Sequence, residues 1–170
     1  MVNFALLELN IILSPIRLTN KFQFMSIEEL LEQPYYVMDI LPRQVPADGG
    51  GQYFKVEEYY LKDMGPLSRQ YTDVLLKLNC YYDLAFSHDA EHWQPNPEPE
   101  KIVRMVKTCL SEESTESFLY VMLTDVPMLL TLQRDTTHMT LYNPSDELLQ
   151  LLGQLASSEG LFVWSPLTIR

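Results

Sequence analysis

The chain has 170 residues and a mass of 19.8 kDa, a length that predicts one compact domain. Its composition, 46% hydrophobic and 21% charged, is that of an ordinary globular protein and excludes a wholly disordered chain, a collagen-like repeat and a disulfide scaffold. With 12 Lys and Arg against 23 Asp and Glu, the formal net charge is −11. A surface this acidic repels phosphate backbones and anionic membranes, so we expect no nucleic-acid and no membrane partner.

The two cysteines, Cys80 and Cys109, are too few for the disulfide framework of a small secreted protein. Both lie among apolar residues in segments with helical spacing, so we expect two reduced thiols in or near the core. Neither has a sequence neighbour of the kind that activates a catalytic thiol. A cytoplasmic location is therefore the default expectation.

Residues 1–24 differ from the rest of the chain. They lack the basic start and the cleavage site of a signal peptide, and Glu8 interrupts their apolar run before it is long enough to span a membrane. Ser26 and Glu29 then match the capping box that begins a helix. We therefore divide the chain into an N-terminal extension, residues 1–24, which could lie outside the fold, and a single α+β domain, residues 25–170. An added strand, or a tail that docks on a partner, is the alternative for the extension.

The periodicity of apolar residues predicts the elements in chain order. Helices are expected at residues 26–33, 67–79, 98–110 and 145–159. Strands are expected at residues 35–41, 52–60, 81–87, 118–124, 128–133, 137–142 and 161–164. Loops are expected at residues 43–51 and 93–99, where glycine and proline are concentrated.

Three of these strands follow one another with short turns between them, which predicts a meander. The expected fold class is accordingly α+β, with a mainly antiparallel sheet of about six to seven strands and three to four helices. Residues 67–124 leave room for one parallel crossover.

The pattern His88-x-x-Glu91-His92 matches a zinc-hydrolase motif, in which two histidines on one helical face bind the metal and the glutamate activates water. That geometry requires a continuous helix, and the prolines that begin at Pro95 disfavour one. A solvated charged loop is the favoured alternative. His88, Glu91 and His92 remain candidate metal ligands, and we assign no catalytic residue and no cofactor.

Two further features have structural explanations. The run Gly49-Gly50-Gly51 is expected to be a turn between strands, since no Lys-Ser/Thr pair and no helix is expected after it. His138 is expected on the exposed side of its strand, opposite Met139 and Leu141.

Tyrosine usage is the most informative feature for function. The ten tyrosines include the adjacent pairs Tyr35-Tyr36, Tyr59-Tyr60 and Tyr81-Tyr82. If each pair lies in a strand or at its end, one ring faces the core and the other faces outward. Outward tyrosines give a large contact area at a low entropic cost, which favours a recognition surface, although helices covering both faces would hide them.

The proline-rich loop could present Trp93 to a partner or fold it back over the core. The candidate binding residues are therefore Tyr35, Tyr59, Tyr81 and Trp93.

Three functional hypotheses follow. The first is a small acidic interaction protein that binds a basic protein partner, comparable to immunity proteins and antitoxins in size and charge only. The second is a metal-dependent hydrolase using His88, Glu91 and His92. The third is a small-ligand sensor with a pocket between sheet and helices. The sequence favours a binding protein over an enzyme.

Overall fold

The computed structural model of the chain describes residues 25–46 and 51–166, so the predicted extension, residues 1–24, lies outside the described residues. Within these ranges the helices are α1 (Ile27–Leu31), α2 (Gln52–Lys62), α3 (Gly65–Leu78), α4 (Pro99–Leu110) and α5 (Asp146–Ser158). The strands are β1 (Tyr35–Asp39), β2 (Leu84–Ser87), β3 (Gln94–Pro95), β4 (Phe118–Leu123), β5 (Leu129–Gln133), β6 (Met139–Tyr142) and β7 (Phe162–Trp164). None of the described helices is both long enough and apolar enough to cross a bilayer.

The seven strands form one sheet in the order β3-β2-β4-β5-β6-β1-β7, and each of its pairings is antiparallel. The predicted α+β class with a mainly antiparallel sheet is confirmed, and β4, β5 and β6 form the predicted meander. The parallel crossover that the sequence left open does not occur in the described part of the chain. The short strand β3 is the reason, because it reverses the chain before α4 and so brings β4 alongside β2 in the antiparallel direction.

Helix boundaries follow their sequence signals. The backbone N–H of Glu29 donates to Ser26 Oγ at 3.2 Å, and the N–H of Ser26 donates to Glu29 Oε2 at 2.7 Å, so the predicted capping box is formed. Ser145 Oγ accepts a hydrogen bond from the N–H of Leu148 at 3.3 Å at the start of α5. Gly160, just beyond that helix, has a φ of +75°, a conformation that favours glycine at a helix end.

The prediction of a strand at residues 52–60 is wrong, because these residues form α2. Its half-buried side chains recur at helical spacing and are Tyr53, Glu57, Tyr60 and Leu61. The helix begins directly after Gly51, which has a φ of +76°, so the expectation that no helix follows the glycine run is wrong as well.

The alternating pattern in this segment arises because α2 lies on the surface and buries none of its residues fully. Phe54, Val56 and Tyr59 remain exposed, so apolar side chains occur on all sides of the helix. Their order along the sequence resembles the alternation of apolar and polar residues that is typical of a strand. Because α2 is an additional helix, the described residues contain five helices, whereas the sequence predicts three to four.

One face of the sheet is covered by α3, α4 and α5. Residues paired directly across strands lie on the same side of a sheet, so the register extends one apolar row over five strands. That row consists of Tyr36, Leu141, Leu130, Val121 and Phe86. Together with the inward residues of the three helices it forms the main core.

The two cysteines differ in their surroundings. Cys109 is buried in α4, as expected, and burial raises the pKa of its thiol to about 12, so it is an inert core residue. Cys80 is exposed in the turn that follows α3, contrary to the prediction of a thiol in or near the core, because the helix ends at Leu78.

Tyr71 connects the helical layer to the sheet. Its ring is fully buried in α3, and its hydroxyl lies 2.6 Å from the carbonyl oxygen of Thr137 and 3.4 Å from that of Met38. Its single proton is donated to Thr137, just before β6, while the oxygen lies near the carbonyl of Met38 in β1. Tyr71 thereby joins α3 to the two strands that carry the residues described below.

The substitution Tyr71→Phe should destabilise the fold by about 1–3 kcal/mol, because the buried carbonyl of Thr137 loses its donor. Urea unfolding followed by circular dichroism measures this change. Tyr81→Phe, at a position where the side chain is 64% exposed, is the matched control and should change the free energy of unfolding by less than ~0.5 kcal/mol. Equal effects of the two substitutions would contradict the role assigned to Tyr71.

Candidate functional site

The structure separates the four candidate binding residues. Tyr35 lies on β1 and is 46% exposed, whereas Tyr59 lies on α2 and is 73% exposed. Tyr81 lies in the turn after α3, and Trp93 is half-buried just before β3. They therefore do not form one continuous surface.

In each tyrosine pair one ring packs against the main core and the other is exposed, but only the pair Tyr35-Tyr36, on β1, does so within a strand as predicted. The pair that includes Tyr59 lies on a helix. The pair that includes Tyr81 precedes β2, which begins at Leu84 and not at residue 81. Alternation alone cannot distinguish these cases.

The side of the sheet that faces away from the main core carries aromatic and small polar side chains. We call this surface the outer face and define it by Tyr35, Phe118, Tyr120, Thr131, Gln133, His138, Thr140 and Tyr142. The register places Tyr35 opposite Tyr142, Thr140 opposite Thr131, and Thr131 opposite Tyr120. Its rings lie close together, with 5.8 Å between the centroids of Tyr35 and Tyr142 and 6.0 Å between those of Phe118 and Tyr120.

One end of the outer face is covered by α1. Leu30 packs there with Met122 and Leu129 in a second, smaller apolar cluster. Trp93 also packs against this cluster, and its Nε1–H donates to the carbonyl oxygen of Ala90 at 3.0 Å. Of the two alternatives for Trp93, the structure therefore shows the side chain folded back onto the protein.

The rest of the outer face is an open groove with a volume of about 190 Å³. All residues of the outer face except Tyr35 line it, together with Leu31 and Thr136. Among the described residues the lining includes no Asp, Glu, Lys or Arg. Exposed acidic residues adjoin it in the sequence, namely Glu32 after Leu31, Glu116 before Phe118 and Asp135 before Thr136. One basic residue, Arg134, also adjoins the groove in the sequence, and its guanidinium donates to the carbonyl oxygens of Cys109, Ser114 and Glu116. The uncharged aromatic groove thus has more acidic than basic neighbours in the sequence.

His138 lies at one end of this groove. It is half-buried, so the prediction of an exposed histidine is wrong, although it does face away from Met139 and Leu141. Burial lowers the pKa of His138, opposed by the nearby carboxylates of Asp39 and Glu57. The imidazole is therefore biased towards its neutral form.

A separate cavity of about 280 Å³ lies where β1 ends. It is lined by Asp39, Leu41, Arg43, Gln44, Val45, Pro46, Gly51, Tyr53, Phe54 and Trp164. We call it the Asp39 cavity. Tyr53 Oη donates to Glu57 Oε1 at 2.8 Å, and burial together with this bond raises the pKa of Tyr53 to about 12.

Asp39 is a buried carboxyl group that lacks a full set of partners. Its side chain is 6% exposed, and its Oδ1 accepts no hydrogen bond from the described residues. Burial raises the pKa of Asp39, an effect that the backbone N–H groups of Ile40 and Leu41 oppose and Glu57 reinforces. Buried carboxyl groups with raised pKa values are more common at functional sites than elsewhere.

The candidate metal ligands are held by separate partners. His88 Nε2 lies 3.2 Å from Glu116 Oε2, whereas His92 Nδ1 lies 2.6 Å from Asp89 Oδ2. The segment that carries His88, Glu91 and His92 is a bend and not a helix, so it does not place both rings on one helical face. In the described residues, no group of three or more His, Cys, Asp and Glu side chains is arranged to hold a metal ion.

A larger cleft of about 640 Å³ lies between α3 and α4. Three cationic residues, Lys62, Arg69 and Lys107, line it together with apolar residues such as Val103. Ser68 also lines it, and its Oγ has no hydrogen-bond partner in the described part of the chain. Two carboxylates, Asp63 and Asp73, line the cleft as well, and Arg69 lies 3.8 Å from Asp73 while Lys62 lies 2.8 Å from Glu58. Among the described residues Lys107 is the cation of the cleft that forms no ion pair.

Comparisons with protein-family models, with curated protein sequences and with solved structures return no match. The function of this chain is therefore inferred from its geometry and charge.

The most informative residue that sequence reasoning did not single out is Asp39. Its signal is present in the sequence, because Asp39 is the one charged residue of the otherwise apolar segment 35–41. A charge within a buried strand is uncommon unless it is paired or functional. Tyr120 and Tyr142 were not singled out either, because their place on the same face of the sheet as Tyr35 depends on strand register.

The substitution Asp39→Asn should raise the melting temperature at neutral pH. Because the pKa of Asp39 is raised in the folded protein, its ionisation destabilises the fold. Below the ordinary aspartate pKa of 3.8 the carboxyl is neutral in both states and the penalty is absent. The penalty grows as the pH rises from that value and is complete above the folded-state pKa.

Thermal unfolding of the wild-type protein and of Asp39→Asn, from below pH 3.8 to neutral pH, measures the difference between their melting temperatures. This difference should disappear at the acidic end of the range. The exposed Asp125, in the turn between β4 and β5, supplies the control substitution Asp125→Asn, which should show no such pH dependence. A lower melting temperature for Asp39→Asn at neutral pH would show that the carboxylate stabilises the fold.

Proposed function

We propose that this chain is a cytoplasmic interaction protein that binds a basic protein partner on the outer face of its sheet. The observation that carries this proposal is the continuous, uncharged, aromatic surface from Tyr35 to Phe118 within an otherwise acidic protein. Tyrosine and phenylalanine contribute strongly to binding where they can be desolvated, and threonines between them supply hydrogen-bonding groups.

The charge distribution supports a basic partner. The net charge is −11, and three acidic residues, Glu32, Glu116 and Asp135, lie close to groove residues in the sequence against one basic residue, Arg134. Charge around a binding surface accelerates association with an oppositely charged protein and disfavours partners of like charge. The uncharged centre then avoids the cost of burying unpaired carboxylates in the interface.

Single-stranded nucleic acid also stacks on aromatic side chains, but it requires a positively charged groove that follows the phosphate backbone. The groove lining includes no Lys or Arg among the described residues. Arg134 follows the lining residue Gln133 in the sequence, but its guanidinium donates to the backbone carbonyl oxygens of Cys109, Ser114 and Glu116. A protein partner that contributes cationic side chains fits this surface better.

The double variant Tyr35→Ala/Phe118→Ala tests the proposal. Both side chains are at least one third exposed, so their removal should not unfold the protein. The full chain is used as bait in lysate of its native cells, and the retained protein is identified by mass spectrometry. We expect a basic partner whose binding weakens with salt and whose affinity falls by about tenfold or more in the double variant.

Tyr81→Ala is the matched control, because it removes an exposed tyrosine outside the outer face and should leave the affinity unchanged. A partner that binds the double variant and the control equally would refute the outer face as the docking surface. A retained protein that is acidic, or binding that is insensitive to salt, would refute the electrostatic part of the proposal.

A second candidate function is the recognition of a small ligand in the cleft between α3 and α4. The cleft falls within the usual size range of ligand sites. Its apolar residues could hold an aliphatic chain, and Lys107, which forms no ion pair with the described residues, could hold an anionic head group, although Asp63 and Asp73 also line the cleft. This location differs from the sensor pocket expected between sheet and helices, because the cleft lies between two helices.

Short-chain fatty acids are suitable probes of this cleft. They should raise the melting temperature of the wild-type protein, since a ligand that binds only the native state stabilises it. Val103→Trp, at a half-buried position, should fill the cleft and abolish the increase. An increase that persists in this variant, or its absence in the wild type, would contradict ligand binding in the cleft.

A further inference from the structure

We propose that the Asp39 cavity binds an organic cation, a primary ammonium or a guanidinium group, whose charge is held by the carboxylate of Asp39. This site goes beyond the proposed function, because the protein should bind such a cation even when its protein partner is absent. The cation could belong to a free small molecule or to a Lys or Arg side chain of the partner.

The first feature of this site is the buried carboxylate of Asp39. Asp39 is nine-tenths buried, lines the cavity and has one oxygen without a hydrogen-bond partner among the described residues. An unpaired buried carboxylate destabilises a fold, and a cation with N–H donors would remove that penalty. Glu57 adds a second negative charge close enough to affect Asp39.

Aromatic side chains are the second feature. Tyr53, Phe54 and Trp164 all line the cavity, and the ring centroids of Tyr53 and Phe54 lie 5.5 Å apart at an interplanar angle of 73°. The indole of Trp164 is fixed by a hydrogen bond of 2.9 Å from its Nε1–H to the carbonyl oxygen of Leu41. Aromatic faces around an acidic group are the recurrent solution for binding ammonium and guanidinium groups.

The size of the cavity limits the ligand. A volume of about 280 Å³ is at the lower limit for small-molecule sites and suits a single cationic group with a short chain. Phe54 is 69% exposed at this cavity, so the cation can enter from solvent and bring an aliphatic stem with it.

The Asp39 cavity and the outer face share the strand β1. Asp39, like Tyr35, belongs to β1, and His138 both lines the outer groove and interacts electrostatically with Asp39. A partner segment that lies along the groove could therefore place one basic side chain in the cavity. A free amine would use the same carboxylate without that segment.

Among the described residues Arg43 is the one cation that lines the cavity, and it is exposed. Its positive charge opposes the entry of a second cation. Its removal should therefore strengthen binding, an effect that a purely structural role of the cavity does not predict.

The test uses the full chain, isotopically labelled for NMR, and titrates it with methylguanidinium at constant ionic strength. N-Methylurea is the neutral probe of similar shape. The two tryptophans give two indole N–H signals, of which Trp164 reports on the cavity and Trp93 on the opposite end of the sheet. We expect methylguanidinium to shift the Trp164 signal saturably and N-methylurea to leave it unchanged.

Variants assign the interaction to its residues. Asp39→Asn should weaken binding by about tenfold or more, whereas Asp125→Asn, at the opposite end of the sheet, should leave it unchanged. Phe54→Ala removes an exposed ring and should weaken binding severalfold, and Arg43→Gln should strengthen it. The exposed positions of Phe54 and Arg43 keep the test valid even if Asp39→Asn alters folding.

Blocked Gly-Arg-Gly and Gly-Lys-Gly peptides distinguish the two sources of the cation. Tighter binding of a peptide, with shifts that extend to Tyr35 and Tyr142, would assign the cavity to a partner side chain. Tighter binding of methylguanidinium would assign it to a free ligand.

The absence of any saturable shift, an equal response to N-methylurea, or unchanged binding by Asp39→Asn and Phe54→Ala would overturn the proposal. Because no partner is present in these titrations, their outcome is independent of whether the outer face binds a basic protein.

Discussion

The antiparallel register of the sheet is the constraint on which the rest of this structure depends. Because directly paired residues share a side, the register that places Tyr36, Leu141 and Val121 under the helices also places Tyr35, Thr140 and Tyr120 on the outer face. A slip of one residue would expose the apolar row and bury the threonines. Burial of the main core thus fixes the composition of the surface proposed for binding.

The ends of β1 and β6 carry a second constraint, because buried polar groups collect there. Tyr71 satisfies the carbonyl oxygen of Thr137, yet Oδ1 of Asp39 has no partner within the described residues. A fold that satisfies one buried group and leaves a neighbouring carboxylate incompletely paired gives up stability at that point. Functional sites are where such local conflicts are retained.

Helices and strands whose apolar residues repeat with one clear period could be predicted from the sequence. Elements whose character depends on tertiary contacts could not. The meander, the capped helices at Ser26 and Ser145, and α4 are encoded locally by alternation, caps and an apolar stripe. Helix α2 was mistaken for a strand because its contacts with the core are slight and its exposed positions include Phe54 and Tyr59. The outer groove and the Asp39 cavity are formed by residues that are distant in the chain, so their composition could not be predicted. The one sequence signal for either site was the charged Asp39 in an apolar segment.

The two proposed binding features can act together because the carboxylate carries a charge that the groove lacks. The groove has aromatic rings and hydroxyl groups, and its described lining residues include no Asp, Glu, Lys or Arg, so it supplies contact area without selecting strongly between neutral and basic segments. Asp39 would supply that selection, since a basic side chain compensates its buried charge and a neutral one leaves it unpaired. The free-energy cost of the incompletely paired Asp39 carboxylate is then a source of specificity. A positively charged group removes this cost when it binds, and a neutral group does not.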